Sequence, residues 1–451
     1  MTTAVDPPFP PRQKSVLDRT LSIFAEVRAG EGLSALLLAA NVFYLLAFYS
    51  VLKIVRDALI LSEAGAVVAS YSSAGQALLM LAFVPAYGAF ASRVNRVWLI
   101  SGVTLFFASH LLVFYVLGTA GVRIGIAFYL WIGVFNMAAV AQFWAFANDL
   151  YSTERGKRLF PVIGVGASLG AVVGSGLTSV AFGSVGPYSL MLLAAVGLLV
   201  PVGLTIWVHR REKAESQDVP AARTEAPVTG AGGFSLVLHE RYLRLVALLV
   251  LVFSLVNTLG GFILNSMITT EAAARVASGA AGGLDERAII GTMAGGIQTS
   301  VNVLAFLLQA FVVSRIFKYA GVRAALFILP VIALGGYALI ALLPIFTIVS
   351  SVKILENSTD YSVQNTTRHA LFLPTSREAK YKAKQAIDSF FVRAGDMLQA
   401  LVVFVGGLLA FGIRGYAAVN IVLVGVWLVL AVAIAREHRK LTADDVTEKA
   451  A

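Results

Sequence analysis

Apolar stretches long enough to cross a lipid bilayer dominate this chain. A membrane-spanning helix needs about 20 predominantly apolar residues, and 58% of this sequence is hydrophobic while only 13% is charged. Reading the apolar runs between charged or glycine-rich breaks gives twelve candidate spans. They cover residues 33–52, 67–90, 97–117, 124–146, 159–182, 188–208, 243–264, 288–313, 324–343, 346–364, 386–411 and 417–434. The sequence therefore predicts an all-α membrane protein with twelve transmembrane helices.

The distribution of basic residues predicts how the chain is oriented. The formal net charge is +10, and most Lys and Arg residues fall in the two tails and in the loops that follow even-numbered spans. Lys and Arg are enriched in cytoplasmic loops of membrane proteins. We therefore expect a bacterial inner-membrane protein with both termini in the cytoplasm, and the positive charge gives no support for nucleic-acid binding.

The chain divides into two similar parts. The polar segment 209–240 contains Pro220 and Pro227 and has the composition of a flexible linker. Basic loops recur at matching places, 91–96 with 313–323 and 148–158 with 371–384. Duplicated halves with parallel topology are typical of major-facilitator transporters, whose site lies between the halves. We expect a cytoplasmic tail (1–32), a first six-helix half (33–208), a cytoplasmic linker (209–240), a second half (241–436) and a cytoplasmic tail (437–451).

Charge is concentrated in residues 350–396, within otherwise apolar sequence. Lys353, Glu356, Asn357 and Asp360 are spaced by three and four residues, which places them on one side of a helix. Ionisable residues inside a membrane are costly and usually mark a transport pathway. A purely structural network of buried ion pairs is the alternative.

Further charged residues follow the first span and begin the eleventh. Lys53, Arg56 and Asp57 form a candidate site for phosphate or carboxylate, because Lys and Arg are the usual partners of these anions. The alternative is that the cations extend to the membrane surface, with Asp57 paired to one of them. Arg393 and Asp396 place another cation and anion three residues apart on a helix.

The fourth span contains amide side chains and is followed by charged residues. Asn136 and Gln142 could face a polar cavity or hydrogen-bond neighbouring helices, and we favour the cavity. The polar residues after the fourth and tenth spans predict a cytoplasmic charge network that holds one closed state. These candidate gating residues are Asn148, Asp149, Glu154, Arg155 and Arg377. Glycines at 166, 170 and 174 form a stripe that favours close helix packing.

These motifs resemble the ATP/ADP translocase family, the nucleotide transporters of plastids and intracellular bacteria, and its bacterial major-facilitator-like relatives. The resemblance rests on YSVLKIVRDALIL at 49–61, FWAFANDLYSTERGKRLFPVIGVGASLGAVVG at 143–174 and LPTSREAKYKAKQAID at 373–388. It implies twelve helices and alternating access. Nucleotide exchangers usually carry Arg and then Lys before the Asp, whereas here Lys53 precedes Arg56. The resemblance thus permits an anionic, phosphorylated substrate without establishing ATP.

The sequence favours a secondary active transporter of a nucleotide or related organic anion, working as a monomer in the lipid bilayer. A proton-coupled porter of another small molecule and a non-transporting membrane scaffold are the alternatives. The chain contains no cysteine and no histidine cluster, so we expect no metal, no cofactor and no catalysis. The candidate substrate-binding residues are Lys53, Arg56, Asp57, Asn136, Gln142, Lys353, Glu356, Asn357, Asp360, Arg393 and Asp396.

Overall fold

The regular structure is helical throughout the part of the chain that can be described. The computed structural model describes every residue except 1–13, 23–25, 92, 93, 95, 152, 216–231, 377 and 451. The N-terminal helices are α1 (Val16–Leu21), α2 (Gly32–Ala91), α3 (Arg96–Thr119), α4 (Gly125–Phe135), α5 (Ala141–Leu150), α6 (Thr153–Gly197) and α7 (Leu199–Glu215).

The C-terminal helices begin after the undescribed segment 216–231. They are α8 (Gly233–His239), α9 (Arg241–Ala277), α10 (Glu286–Leu307), α11 (Val313–Tyr319), α12 (Gly321–Leu342), α13 (Phe346–Thr359), α14 (Asn365–Ala370), α15 (Lys384–Ala386), α16 (Val392–Leu408) and α17 (Ile413–Ala450). Short π-helical segments connect some of these helices: Asn136–Val140, Leu308–Val312, Asp360–Gln364, Ala379–Ala383 and Ile387–Phe391. Helix α7 runs past residue 208 and α17 runs well into the segment 437–451, so both extend beyond the predicted spans.

Nine helices within the described residues are long and apolar enough to cross a membrane. Two of them, α2 and α6, are interrupted by a glycine with a positive φ, Gly65 at 80° and Gly186 at 76°. This backbone conformation favours glycine because a Cβ atom would clash. Both glycines lie where the sequence predicts a loop between consecutive spans. The prediction of an all-α, multi-pass membrane protein is therefore confirmed.

The glycine stripe of α6 packs directly against the backbone of α2. A Cβ atom added to Gly166, Gly170 or Gly174 would run into a carbonyl oxygen of α2, which at Gly170 is that of Phe43. Helix backbones approach this closely only where side chains are absent. The predicted packing role of the stripe is confirmed.

We expect Gly170→Ala to lower the free energy of unfolding by about 1–3 kcal/mol, as forced overpacking commonly does. The added methyl group meets backbone, which cannot rotate away. Gly164→Ala is the matched control, because a Cβ atom there has no neighbour within 4 Å. Thermal unfolding in detergent measures both variants, and equal melting temperatures would contradict the close packing of α6 on α2.

Several pairs of helices connect the N-terminal helices to the C-terminal helices, among them α6 with α10 and α2 with α16. Between α6 and α10, the Asn302 side chain donates a hydrogen bond of 3.0 Å to the carbonyl oxygen of Ala171. Between α2 and α16, Ser70 Oγ donates to Gln399 Oε1 over 2.9 Å. Since polar groups bridge both contacts, the interface combines close packing with hydrogen bonds that can be exchanged for others.

Candidate functional site

A polar cavity of about 270 Å³ lies between the N-terminal and the C-terminal helices. Its walls come from α2 and α4 on one side and from α9, α13, α16 and the π-helical segment Asp360–Gln364 on the other. We call it the central cavity. Its polar lining residues are Lys53, Arg56, Ser70, Ser73, Tyr129, Asn257, Thr258, Asn265, Lys353, Asn357, Tyr361 and Gln399.

Lys53 brings to this cavity a positive charge that no carboxylate in the described part of the chain neutralises directly. Its Nζ atom donates a hydrogen bond of 2.9 Å to the amide oxygen of Gln298 on α10. The ring of Tyr361 lies 6.0 Å away, measured to its centroid. Among the residues that the structure describes, Lys53 has no ion-pair partner. Its ammonium group is therefore available to an anion in the cavity.

Arg56 is neutralised by its neighbour in the sequence. Its Nε and Nη2 atoms donate to Asp57 Oδ1 over 2.8 and 2.6 Å, and its guanidinium group lies 4.5 Å from the centroid of the Tyr129 ring. Stacking on an aromatic ring and pairing with a carboxylate both hold the planar guanidinium in place. Arg56 thus gives the cavity a fixed set of donors with little net charge.

Lys353 and Glu356 form a fully buried ion pair at the edge of the cavity. Their side chains are 1% and 2% exposed, and Lys353 Nζ lies 2.8 Å from Glu356 Oε2. Lys353 Nζ also donates to Asn257 Oδ1 over 3.0 Å, and the Tyr337 hydroxyl donates to Glu356 Oε2 over 2.8 Å. Lys353 lines the cavity, whereas Glu356 lies behind it. Such a pair is tolerated because its remaining donors and acceptors are bonded.

The other charged candidates occupy different surroundings. Asp360 is 9% exposed and does not line the central cavity. Arg393 and Asp396 form an ion pair of 3.1 Å, and Ser254 Oγ on α9 donates to the same carboxylate over 3.2 Å. Arg393 borders a separate cavity of about 550 Å³ between α2 and the start of α16.

The amides of the fourth predicted span do not meet the central cavity. Asn136 is exposed and begins the π-helical segment Asn136–Val140, while Gln142 is buried in α5. Neither lines the central cavity. Asn357 does line it, one helical turn from Lys353 and Tyr361. The structure thus brings together four of the candidates, namely Lys53, Arg56, Lys353 and Asn357.

Several lining residues gave little signal in the sequence. Ser70, Ser73 and Tyr129 are common in packed membrane helices, so their presence alone does not indicate a cavity. Gln399 is the exception, because a buried amide in an apolar run, three residues after Asp396, extends the polar face of that helix. The same reasoning that selected Asp396 would have selected it.

A network of ion pairs covers the ends of the N-terminal helices near residue 31. Arg155 reaches Glu31 at 3.4 Å and Glu212 at 3.0 Å, and Arg158 reaches Glu31 at 2.9 Å. Glu154 pairs with Arg28 at 2.9 Å. These pairs connect N-terminal helices with one another. Asn148 and Asp149 are exposed nearby in sequence, and Arg377 lies outside the described residues.

We expect Glu31→Gln to destabilise the protein by about 2 kcal/mol at pH 7, because charged hydrogen bonds from Arg158 are lost. Burial acts to raise the pKa of Glu31, but the hydrogen bonds from Arg158 and from the Arg28 N–H outweigh it and hold that pKa below its ordinary value. A carboxyl group whose pKa is lower in the folded state stabilises the fold at pH values above its unfolded-state pKa. This contribution is lost as the pH falls. The difference in melting temperature between wild type and variant should therefore shrink as the pH falls below the ordinary glutamate pKa of about 4.3.

Glu154→Gln serves as the control for this prediction. In its ion pair with Arg28, the Arg28 side chain is 60% exposed and the Glu154 side chain is 74% exposed. Exposed ion pairs contribute little to stability. An equal loss of melting temperature in both variants at pH 7 would show that burial of the Glu31 network has no special effect.

The arrangement of helices around a cavity between N-terminal and C-terminal helices is similar to that of solved membrane transporters. The solved structure of the nucleoside transporter NupG aligns with a TM-score of 0.63, covering 89% of this chain and 98% of that chain at 15% identity. A POT family transporter in complex with a thioalcohol-conjugated peptide also gives 0.63, covering 93% and 98% at 12% identity. The protein has the fold of this class of membrane transporters.

Curated relatives make the resemblance more specific. ADP,ATP carrier protein 4 of Rickettsia bellii is 24% identical over 308 residues, which are 59% of this chain and 57% of that protein. ADP,ATP carrier protein 1 of Chlamydia muridarum is 22% identical over 360 residues, 69% of this chain and 66% of that protein. No protein-family model matches the sequence. The predicted resemblance to ATP/ADP translocases and their major-facilitator-like relatives is confirmed, although the chain spans less than two thirds of these carriers.

Proposed function

We propose that this protein is a secondary active transporter that moves a nucleotide or related organic anion by alternating access. The observation that carries the proposal is Lys53, a cation to which no carboxylate of the described residues is paired, in a polar cavity between the N-terminal and C-terminal helices. Arg56 and Lys353 add donors, but Asp57 and Glu356 neutralise their charges. The site therefore favours a ligand with a negative group, such as a phosphate, placed next to Lys53.

Twelve spans in two six-helix halves are part of the proposal. Gly65 and Gly186 each divide one long helix at a predicted loop, and α13 with its π-helical extension supplies a span too polar to be recognised by hydropathy. Added to the nine apolar helices of the described residues, these three spans support a total of twelve. The halves would be 33–208 and 241–436, connected by 209–240, in a bacterial inner membrane with both termini in the cytoplasm. One chain supplies the whole cavity, so a monomer suffices.

Alternating access requires contacts that close the cavity at one end and can be broken. Arg287 at the start of α10 makes such contacts with the N-terminal helices near Gly65. Its Nε atom donates to Ser62 Oγ over 3.1 Å, its Nη1 to the Tyr188 hydroxyl over 3.0 Å, and its Nη2 lies 3.7 Å from Glu63. Polar contacts of this kind exchange for water at modest cost when halves separate. These contacts support a conformation in which the cavity is closed at the end that lies nearest to Gly65.

Purified protein in liposomes tests the proposal. Liposomes loaded with unlabelled ADP should take up labelled ADP by exchange, and ATP, AMP and inorganic phosphate serve as competing anions. The same compounds should raise the melting temperature in detergent, because a ligand that binds only the folded state stabilises it. Neither exchange nor thermal stabilisation with any of these anions would refute the anion assignment.

A further inference from the structure

A second polar feature lies inside the C-terminal helices, apart from the central cavity. Glu356, Asp360, Gln364 and Arg368 follow one another at four-residue steps along α13, the π-helical segment Asp360–Gln364 and α14. Four-residue steps drift by about 40° on an α-helix. The wider turn of the π-helical segment offsets this drift. The four side chains therefore form one stripe, which we call the helix-10 stripe because it lies on the tenth predicted span.

The middle of the helix-10 stripe is buried and has no hydrogen-bond partner among the residues that the structure describes. Gln364 is fully buried, and neither its amide oxygen nor its amide nitrogen has a hydrogen-bond partner among the described residues. Asp360 is 9% exposed, and its carboxylate likewise makes no hydrogen bond or ion pair within that part of the chain. The Nε atom of Arg368 is also buried without a partner there. Buried polar groups are almost always hydrogen-bonded, and where protein offers no partner, water does.

The stripe connects the central cavity with the end of the helix. At one end, Glu356 bonds Lys353, which lines the cavity. At the other end, Arg368 is partly exposed, and its guanidinium lies 5.6 Å from the ring centroid of Phe253 on α9. Glu356 and Arg368 are separated by about 18 Å along the helix, at the usual rise of 1.5 Å per residue. A row of buried waters along this path would satisfy Asp360 and Gln364.

We propose that the helix-10 stripe is a water-containing proton site, with Asp360 as the group that binds the proton, and that it couples substrate movement to a proton gradient. This inference rests on the proposed transport function. Asp360 accepts a proton from an adjacent water chain, forming a neutral carboxylic acid, and returns the proton to water when the carrier changes state. Glu356 is less suited to this, because Lys353 and the Tyr337 hydroxyl already bond its carboxylate.

The charges around Asp360 favour a proton over a metal cation. Lys353, Glu356 and Arg368 are the charged groups that act on Asp360, and from the neighbouring α12 the Tyr337 hydroxyl reaches Glu356. A sodium ion would need several oxygen ligands, and the Lys353 ammonium group at one end of the stripe and the Arg368 guanidinium at the other would both repel it. A carboxylate can exchange a proton with water without admitting a metal ion. Gln364, which can both donate and accept, would hold that water in place.

Two kinds of transport assay separate proton coupling from substrate binding. In liposomes, ADP exchange needs no gradient, whereas net ADP accumulation can be driven by an imposed pH gradient. We expect wild type to do both. Asp360→Asn and Gln364→Met should keep the rate of ADP exchange within about twofold of wild type. Both should reduce pH-driven accumulation of ADP at least tenfold. Both variants should fold, since neither side chain has a hydrogen-bond partner to lose within the described part of the chain.

Asn365→Met is the matched control, because Asn365 is an exposed amide next to Gln364 and outside the stripe; it should retain pH-driven accumulation. Infrared titration of the full-length protein without substrate gives a readout independent of transport. Wild type should show a titrating carboxylic-acid band that Asp360→Asn lacks. Accumulation driven by sodium rather than by pH, or an unchanged band in Asp360→Asn, would overturn the proton site. Absence of ADP exchange in wild type would instead refute the transport proposal, while the infrared result still decides the proton site.

Discussion

Lys53→Met is expected to weaken binding of ADP and of inorganic phosphate by about 10- to 100-fold. Lys53 contributes a charged donor that no carboxylate in the described structure engages, and a hydrogen bond to a charged group contributes about 1.5–3 kcal/mol. About 1.4 kcal/mol corresponds to one factor of ten in affinity. Methionine keeps the length of the side chain, so packing against Tyr361 changes little. Thermal-shift titration with each anion measures the effect.

Two further variants make this result specific to the position. Lys53→Arg keeps the charge and should retain more of the affinity than Lys53→Met. Lys318→Met removes an equal charge from α11, where Lys318 is exposed beside Tyr319 and does not line the cavity. It should leave affinity unchanged, apart from a small long-range effect that salt screens. If Lys53→Met bound ADP as tightly as wild type, the central cavity would not be the anion site.

The all-helical membrane fold followed directly from apolar length and composition. Hydropathy works because a chain in lipid must satisfy its backbone hydrogen bonds internally, which leaves helices as the simplest solution for long apolar runs. It is weakest for α13, where Lys353 and Glu356 lower the apolar character of a buried helix. The matching basic loops in the two parts of the chain predicted this span better than hydropathy did.

The candidate site was predictable where a residue was chemically unusual for its surroundings. Lys53, Arg56 and Lys353 stood out because cations are rare in apolar runs, and all three line the central cavity. Their pairing could not be foreseen in full. Glu356 meets Tyr337 across two helices, and long-range contacts of this kind depend on tertiary packing that spacing along one helix does not encode. Tyr129 was missed for the same reason.

The buried pair Lys353–Glu356 leads to the largest expected effect on stability. Both Lys353→Met and Glu356→Gln should lower the free energy of unfolding by about 3–5 kcal/mol, because each leaves the other charge buried and unpaired. In Glu356→Gln, the Tyr337 hydroxyl keeps an oxygen acceptor, so the loss reports mainly on the unpaired ammonium group. Thermal and denaturant unfolding in detergent would measure both variants.

The double variant Lys353→Met, Glu356→Gln decides what the pair contributes. It contains no buried charge at these positions, so it should be more stable than either single variant, and the two losses should be strongly non-additive. Replacing a buried ion pair by neutral groups is often nearly neutral, because desolvation of two charges offsets much of their attraction. Additive losses would show that Lys353 and Glu356 act independently. The double variant should also bind ADP more tightly than Lys53→Met does. That result would show that the charge of Lys53, rather than the pair, recognises the anion. Lys353 would then serve mainly to position Asn257 at the cavity wall.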